Sequence, residues 1–104
     1  MHTTITARHC DISEELRQRA EAVLQRLGGL AARPVDGTVV FDLGPSSHSA
    51  EVRLHVAKGD LFVATGEGSD HRSALDRAED KIRHQIDRDP HQARRSRRTE
   101  ADKA

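Results

Sequence analysis

Between His48 and Val56 the chain alternates without a break. Ala50, Val52, Leu54 and Val56 are apolar, and Ser49, Glu51, Arg53 and His55 between them are polar. A strand with one apolar face must bury that face and leave the other to water. The rest of the fold therefore has to form a layer on one side only. Residues 61–65 supply a pairing strand through a turn at Lys58-Gly59. Setting Val56 opposite Leu61 brings Leu54 beside Val63 and Val52 beside Thr65, which predicts a hairpin in that register. Residues 35–43 add a strand with Val35, Val39, Phe41 and Leu43 on one face, before Gly44-Pro45-Ser46-Ser47 breaks the chain. The β-branched run at residues 3–7 suits a fourth, short strand.

Two amphipathic segments supply the cover. Ser13 offers a hydroxyl N-cap, and Glu14 and Glu15 sit where a helix start favours acid. Leu16, Ala20, Val23, Leu24 and Leu27 then form one helical stripe, stopped by Gly28-Gly29, with Pro34 closing the connection. Gly66-Glu67-Gly68 reads as a tight turn ending the last strand, after which Ser69 or Asp70 caps a second helix. Its stripe is Ala74, Leu75, Ala78, Ile82 and Ile86, and Pro90 ends it. The expectation is an α+β domain of order β-α-β-β-β-α, a four-stranded mixed sheet with two helices packed on one face. It spans residues 1–88. Residues 89–104 lack apolar periodicity and read as a basic, disordered tail.

Composition narrows the function. A chain of 104 residues with two phenylalanines, no tyrosine and no tryptophan builds a thin aliphatic core without room for a large cofactor. No apolar run approaches the ~20 residues of a membrane helix. The start lacks a secretory signal, and Cys10 stands alone, so a reduced cytoplasmic setting is expected. Cys10 reads as a small, mostly buried thiol. Among the seven histidines none pair at metal-ligand spacing on a helix. Walker, Gly-x-Ser-x-Gly and dinucleotide-binding motifs are missing. The expectation is no enzyme, no metal, no cofactor and no small-molecule substrate.

Charge is unevenly placed. Residues 1–79 carry nine basic and twelve acidic side chains, whereas residues 80–104 carry eight and five. On the second helix Arg77, Lys81, His84 and Arg88 recur at spacings of four, three and four, one row about 5–6 Å apart per step. Such a row suits successive phosphates of RNA and reads no sequence. Asp80, Asp87 and Asp89 are interleaved with it.

Five segments in order carry a resemblance: Ile5-Thr6-Ala7-Arg8 with residues 11–17; the strand His48–Val56; Glu67-Gly68-Ser69-Asp70; Ala74-Leu75-Asp76; and residues 80–85. Over residues 1–88 they resemble the ribosome hibernation promoting factors, also called ribosome-associated translation inhibitors. The resemblance implies a non-enzymatic, cytoplasmic protein of stressed or stationary cells, monomeric off the ribosome. It would bind the small subunit and its ribosomal RNA in the messenger and transfer RNA channel, and so preserve idle ribosomes. The chain is similar to the short members, without the second, dimer-forming domain. Arg17, Lys81 and Arg88 match the family's RNA-contacting positions, with His84 in a weaker role where the family has arginine. Arg72 stands where the family has an aromatic. The lysine-rich helix end is replaced by Asp87-Arg88-Asp89-Pro90, and Arg94 and Arg95 are candidates to supply the lost charge. The alternative is an interaction module of the same fold that has lost ribosome binding.

Overall fold

The computed structural model describes residues 1–57 and 60–90. The turn expected at Lys58-Gly59 and the tail with Arg94 and Arg95 lie outside them. The elements run β1 (His2–Arg8), α1 (Glu14–Leu30), β2 (Pro34–Leu43), β3 (His48–Val56), β4 (Leu61–Gly68) and α2 (His71–Arg88). The sheet order is β1-β2-β3-β4, with β1 parallel to β2 and the other pairs antiparallel. The architecture is the α+β order expected.

The alternation in β3 does what its pattern requires. Ala50, Val52, Leu54 and Val56 are fully buried beneath the helices, together with Val39 and Phe41 of β2. From α1 come Ala20, Val23, Leu24 and Leu27, and from α2 Ala74, Leu75, Ala78, Ile82 and Ile86, all inaccessible to solvent. Each Leu, Ile, Val or Phe so buried contributes roughly 1.5–3 kcal/mol of transfer free energy.

Four expectations are corrected. In the hairpin His55 faces Leu61, Leu54 faces Phe62 and Val52 faces Ala64, one residue away from the register read in the sequence. The slip turns Phe62, Ala64 and Gly66 inward and leaves Leu61 about half exposed, at 49%. Packing explains the choice: α2 lies directly on β4, and Ala64 and Gly66 let it approach where Val63 and Thr65 would hold it away. Gly66-Glu67-Gly68 is accordingly strand, not turn.

The glycine pair does not stop α1, which continues through Gly28 and Gly29 to Leu30. Leu30 packs against the core, and Ala31 N–H closes the end on Leu27 O at 3.2 Å. This anchoring outweighs a glycine penalty of about 1 kcal/mol each. Val35 and Leu43 are not core residues, at 46% and 43% exposure. A register shift between Pro34 and Asp36 takes Val35 out of phase, and Leu43 sits at the strand's end.

Side chains close both helix starts. Ser13 Oγ accepts from Leu16 N–H at 3.0 Å, and Asp70 Oδ1 from Ser73 N–H at 2.7 Å. That bond holds the Asp70 carboxyl below the usual carboxylate range. A carboxyl depressed in the folded state adds stability above its unfolded pKa of about 3.9, lost as pH falls through the lower folded value. Asp70→Asn keeps the cap but removes this titration. Wild type should therefore exceed the variant in urea midpoint near pH ~7, and the gap should close by pH ~2. A gap independent of pH would refute the assignment.

Candidate nucleic-acid interface

Four of the residues singled out for RNA lie in one exposed row on α2: Arg77, Lys81, His84 and Arg88. The row runs beside β4, the outer strand of the sheet, and the backbone of that strand orients it. Arg77 Nη1 donates to Glu67 O in a short hydrogen bond. Lys81 Nζ donates to Thr65 O at 2.7 Å, and Gln85 Nε2 to Val63 O at 2.8 Å. The match is geometric. Four helical residues rise about 6 Å, and two strand residues about 6.8 Å. Steps of four on α2 therefore stay in phase with steps of two on β4, run in the opposite direction.

These bonds leave most donors unused. A guanidinium has five N–H groups and an ammonium three, so Arg77 keeps four and Lys81 two. The cations are thus held at the strand edge with donors directed to solvent. His84 differs: its Nδ1 hydrogen donates to Asp80 O at 2.8 Å, so Nε2 is a donor only when the ring is protonated. The Arg88 side chain makes no hydrogen bond or ion pair among the described residues.

Arg17 is not brought to this row. It lies on α1, with Nη1 3.3 Å from Ile5 O of β1 and Nε 4.0 Å from Glu14. β1 and β4 are opposite edges of the sheet, three strand spacings or about 14 Å apart. Arg17 and the α2 row therefore lie toward opposite edges of the sheet. Arg94 and Arg95 lie outside the described residues.

Other charges are used within the fold. Arg26 forks onto Glu79 with contacts of 3.0 and 3.1 Å, and Arg19 reaches Asp76 at 3.0 Å, joining α1 to α2. Glu79 is 9% exposed, and its hydrogen bonds push the Arg26 guanidinium further toward the charged form. Removing either partner would leave the other partly desolvated and unpaired. Arg8 and His9 both face Asp42, whose carboxyl is lowered by the His9 hydrogen bond first.

Three features were not read from the sequence. Arg83 is exposed and free of ion pairs among the described residues, but it falls off the four-residue row. Gln85 completes the ladder on β4, and its spacing from Arg77 and Lys81 was the available signal. The third is a ring cluster. His71 Nε2 donates to Asp42 O at 2.9 Å, and its ring meets those of His48 and Phe41 edge-on, with centroids 4.6 and 5.4 Å away. Cys10 Sγ lies 3.9 Å from His71 Nε2. Burial, with Asp42 and Asp11 adding, pushes the Cys10 thiol up, so it is held protonated. Beside this cluster a cleft of about 450 Å³ opens between the starts of α1 and α2, where Arg19 and Arg72 are balanced by Glu15 and Asp70. No group of three or more histidine, cysteine or acidic side chains among the described residues could hold a metal. No described helix is long and apolar enough to cross a membrane.

The domain is a one-sided α+β layer with Arg77 and Lys81 held along its β4 edge. The chain belongs to the family described as Sigma 54 modulation protein / S30EA ribosomal protein, which matches residues 3–94. This is a ribosome-associated family and not a family of enzymes. The N-terminal domain of Protein Y from Thermus thermophilus is similar, with 27% identity, a TM-score of 0.72, and coverage of 85% of this chain and 98% of that one. A ribosomal subunit interface protein from Coxiella burnetii shares the fold, with 20% identity, a TM-score of 0.71, and coverage of 82% and 92%. No curated protein matches the chain.

Proposed function

We propose that this protein binds the small ribosomal subunit in the channel used by messenger and transfer RNA, and so keeps idle ribosomes out of translation in stressed or stationary cells. It acts in the cytoplasm by occlusion, without catalysis and without a cofactor, and is a monomer off the ribosome. The domain of residues 1–88 carries the contact. The observation that supports the reading is the edge-anchored row of Arg77 and Lys81, continued by His84 and Arg88 along about 16 Å of helix. Cations fixed in place before binding lose less side-chain entropy when they meet phosphate. Arg17 on the opposite edge would touch a second RNA segment, and Arg94 and Arg95 would extend the positive end beyond Pro90. Membership of a ribosome-associated family supports binding to the ribosome, as does the name of the Coxiella burnetii protein, a ribosomal subunit interface protein. Displacement of a labelled messenger from isolated small subunits by the protein tests the reading. A messenger left in place at saturating protein would contradict it.

A further inference from the structure

We propose that the Arg77–Lys81–Gln85 ladder closes the β4 edge against pairing with a second copy of this chain. β4 is an outer strand, so the backbone groups of alternate residues point away from the sheet. An open edge of this kind is a template for another strand. Proteins blunt such edges with proline, with a charge inside the strand or with a bulge. Over residues 61–66 β4 has none of these, and its one charge, Glu67, comes only near the strand's end. Its first six residues, Leu61-Phe62-Val63-Ala64-Thr65-Gly66, contain neither charge nor proline, and its pairing with β3 runs without a register shift.

The ladder supplies what the strand lacks. Val63, Thr65 and Glu67 turn their carbonyls outward, and Gln85, Lys81 and Arg77 each occupy one of them. In an antiparallel ladder a residue's N–H and C=O point to the same side. An incoming strand must find both, and here the acceptors are already engaged beneath side chains that overhang the edge. Two of those side chains are cations, so a second copy would also bring like charge against like.

The partner is a second copy because the uncharged stretch at residues 61–66 is self-complementary. Antiparallel pairing of β4 with β4 about a two-fold axis gives an isologous contact and closes at two chains. Half-exposed Leu61, with Val63 on the same open face, would flank it.

The test removes the donors and keeps the bulk. The triple variant Arg77→Met, Lys81→Met, Gln85→Leu is examined by sedimentation velocity without ribosomes, beside wild type. Wild type is expected at the mass of one chain, and the variant at twice that mass with the circular dichroism of the native fold. Adding Thr65→Pro, at a residue whose N–H faces outward, should return the variant to one chain. A triple variant that stays at one chain would overturn the proposal. So would a dimer that Thr65→Pro leaves intact, since its contact would lie elsewhere. If the triple variant does not fold, Lys81→Met and its Thr65→Pro derivative are read by the same two criteria. Because no ribosome is present, these outcomes are independent of the proposed ribosome binding.

Discussion

Gly66→Ala is expected to cost roughly 3–5 kcal/mol of folding stability, above the usual range for an overpacked site. A β-carbon at this position would lie 2.1 Å from Ala74 O and 2.7 Å from Ala78 N, both backbone atoms of α2. Nothing flexible can yield there, so the helix must lift from β4. Lifting it would disturb the burial of Ala74, Leu75 and Ala78 and pull Arg77 and Lys81 from their carbonyls. In a domain of this size the thermal midpoint should fall by more than ~10 °C. Gly29→Ala is the matching control, because its β-carbon meets nothing within 4 Å and the position is helical. That substitution should stabilise by about 0.5–1 kcal/mol. Thermal denaturation of the pair checks both signs. A small loss at Gly66 would mean that α2 does not sit this close to the strand.

The double variant Lys81→Ala, Arg88→Ala should lose about 100-fold in ribosome affinity at low salt, near tenfold for each charged contact. Its dependence on salt should also flatten. Each phosphate contact to a single strand contributes about 0.7 to the slope of log affinity against log salt, so two removals should lower it by about 1.4. The Arg88 side chain has no hydrogen bond or ion pair among the described residues, so its loss leaves the fold alone. Lys81 releases only Thr65 O. Circular dichroism separates a binding defect from misfolding. Affinity equal to wild type, with an unchanged slope, would place the contact away from this row. Binding indifferent to both salt and ribonuclease would favour an interaction module that has left the ribosome.

Much of the layer was legible because burial imposes periodicity. β3 alternates cleanly, and the stripes of α1 and α2 mark their buried faces, with Leu16 at the rim only partly buried. The errors fall where local pattern and packing disagree. In β4 both parities are partly apolar, so Leu61-Val63 and Phe62-Ala64 compete for the core. Only the seating of α2 on Ala64 and Gly66 decides between them. Gly28 and Gly29 look like a stop until Leu30 is seen against the core. The row Arg77, Lys81, His84 and Arg88 was readable from spacing and is exposed as a row of that spacing should be. Its anchoring to β4 was not, because which strand is outermost emerges only from the sheet order. The same gap hid the separation of Arg17, which sequence alone could not assign to the opposite edge.

The central claim is best tested by co-sedimentation with separated ribosomal subunits at low and near-physiological salt, with and without messenger. The account predicts protein in the small-subunit pellet, little with the large subunit, less at the higher salt, and loss from the pellet when messenger is present. Protein that stays in the supernatant with small subunits at both salts, or that pellets equally well beside bound messenger, would contradict it.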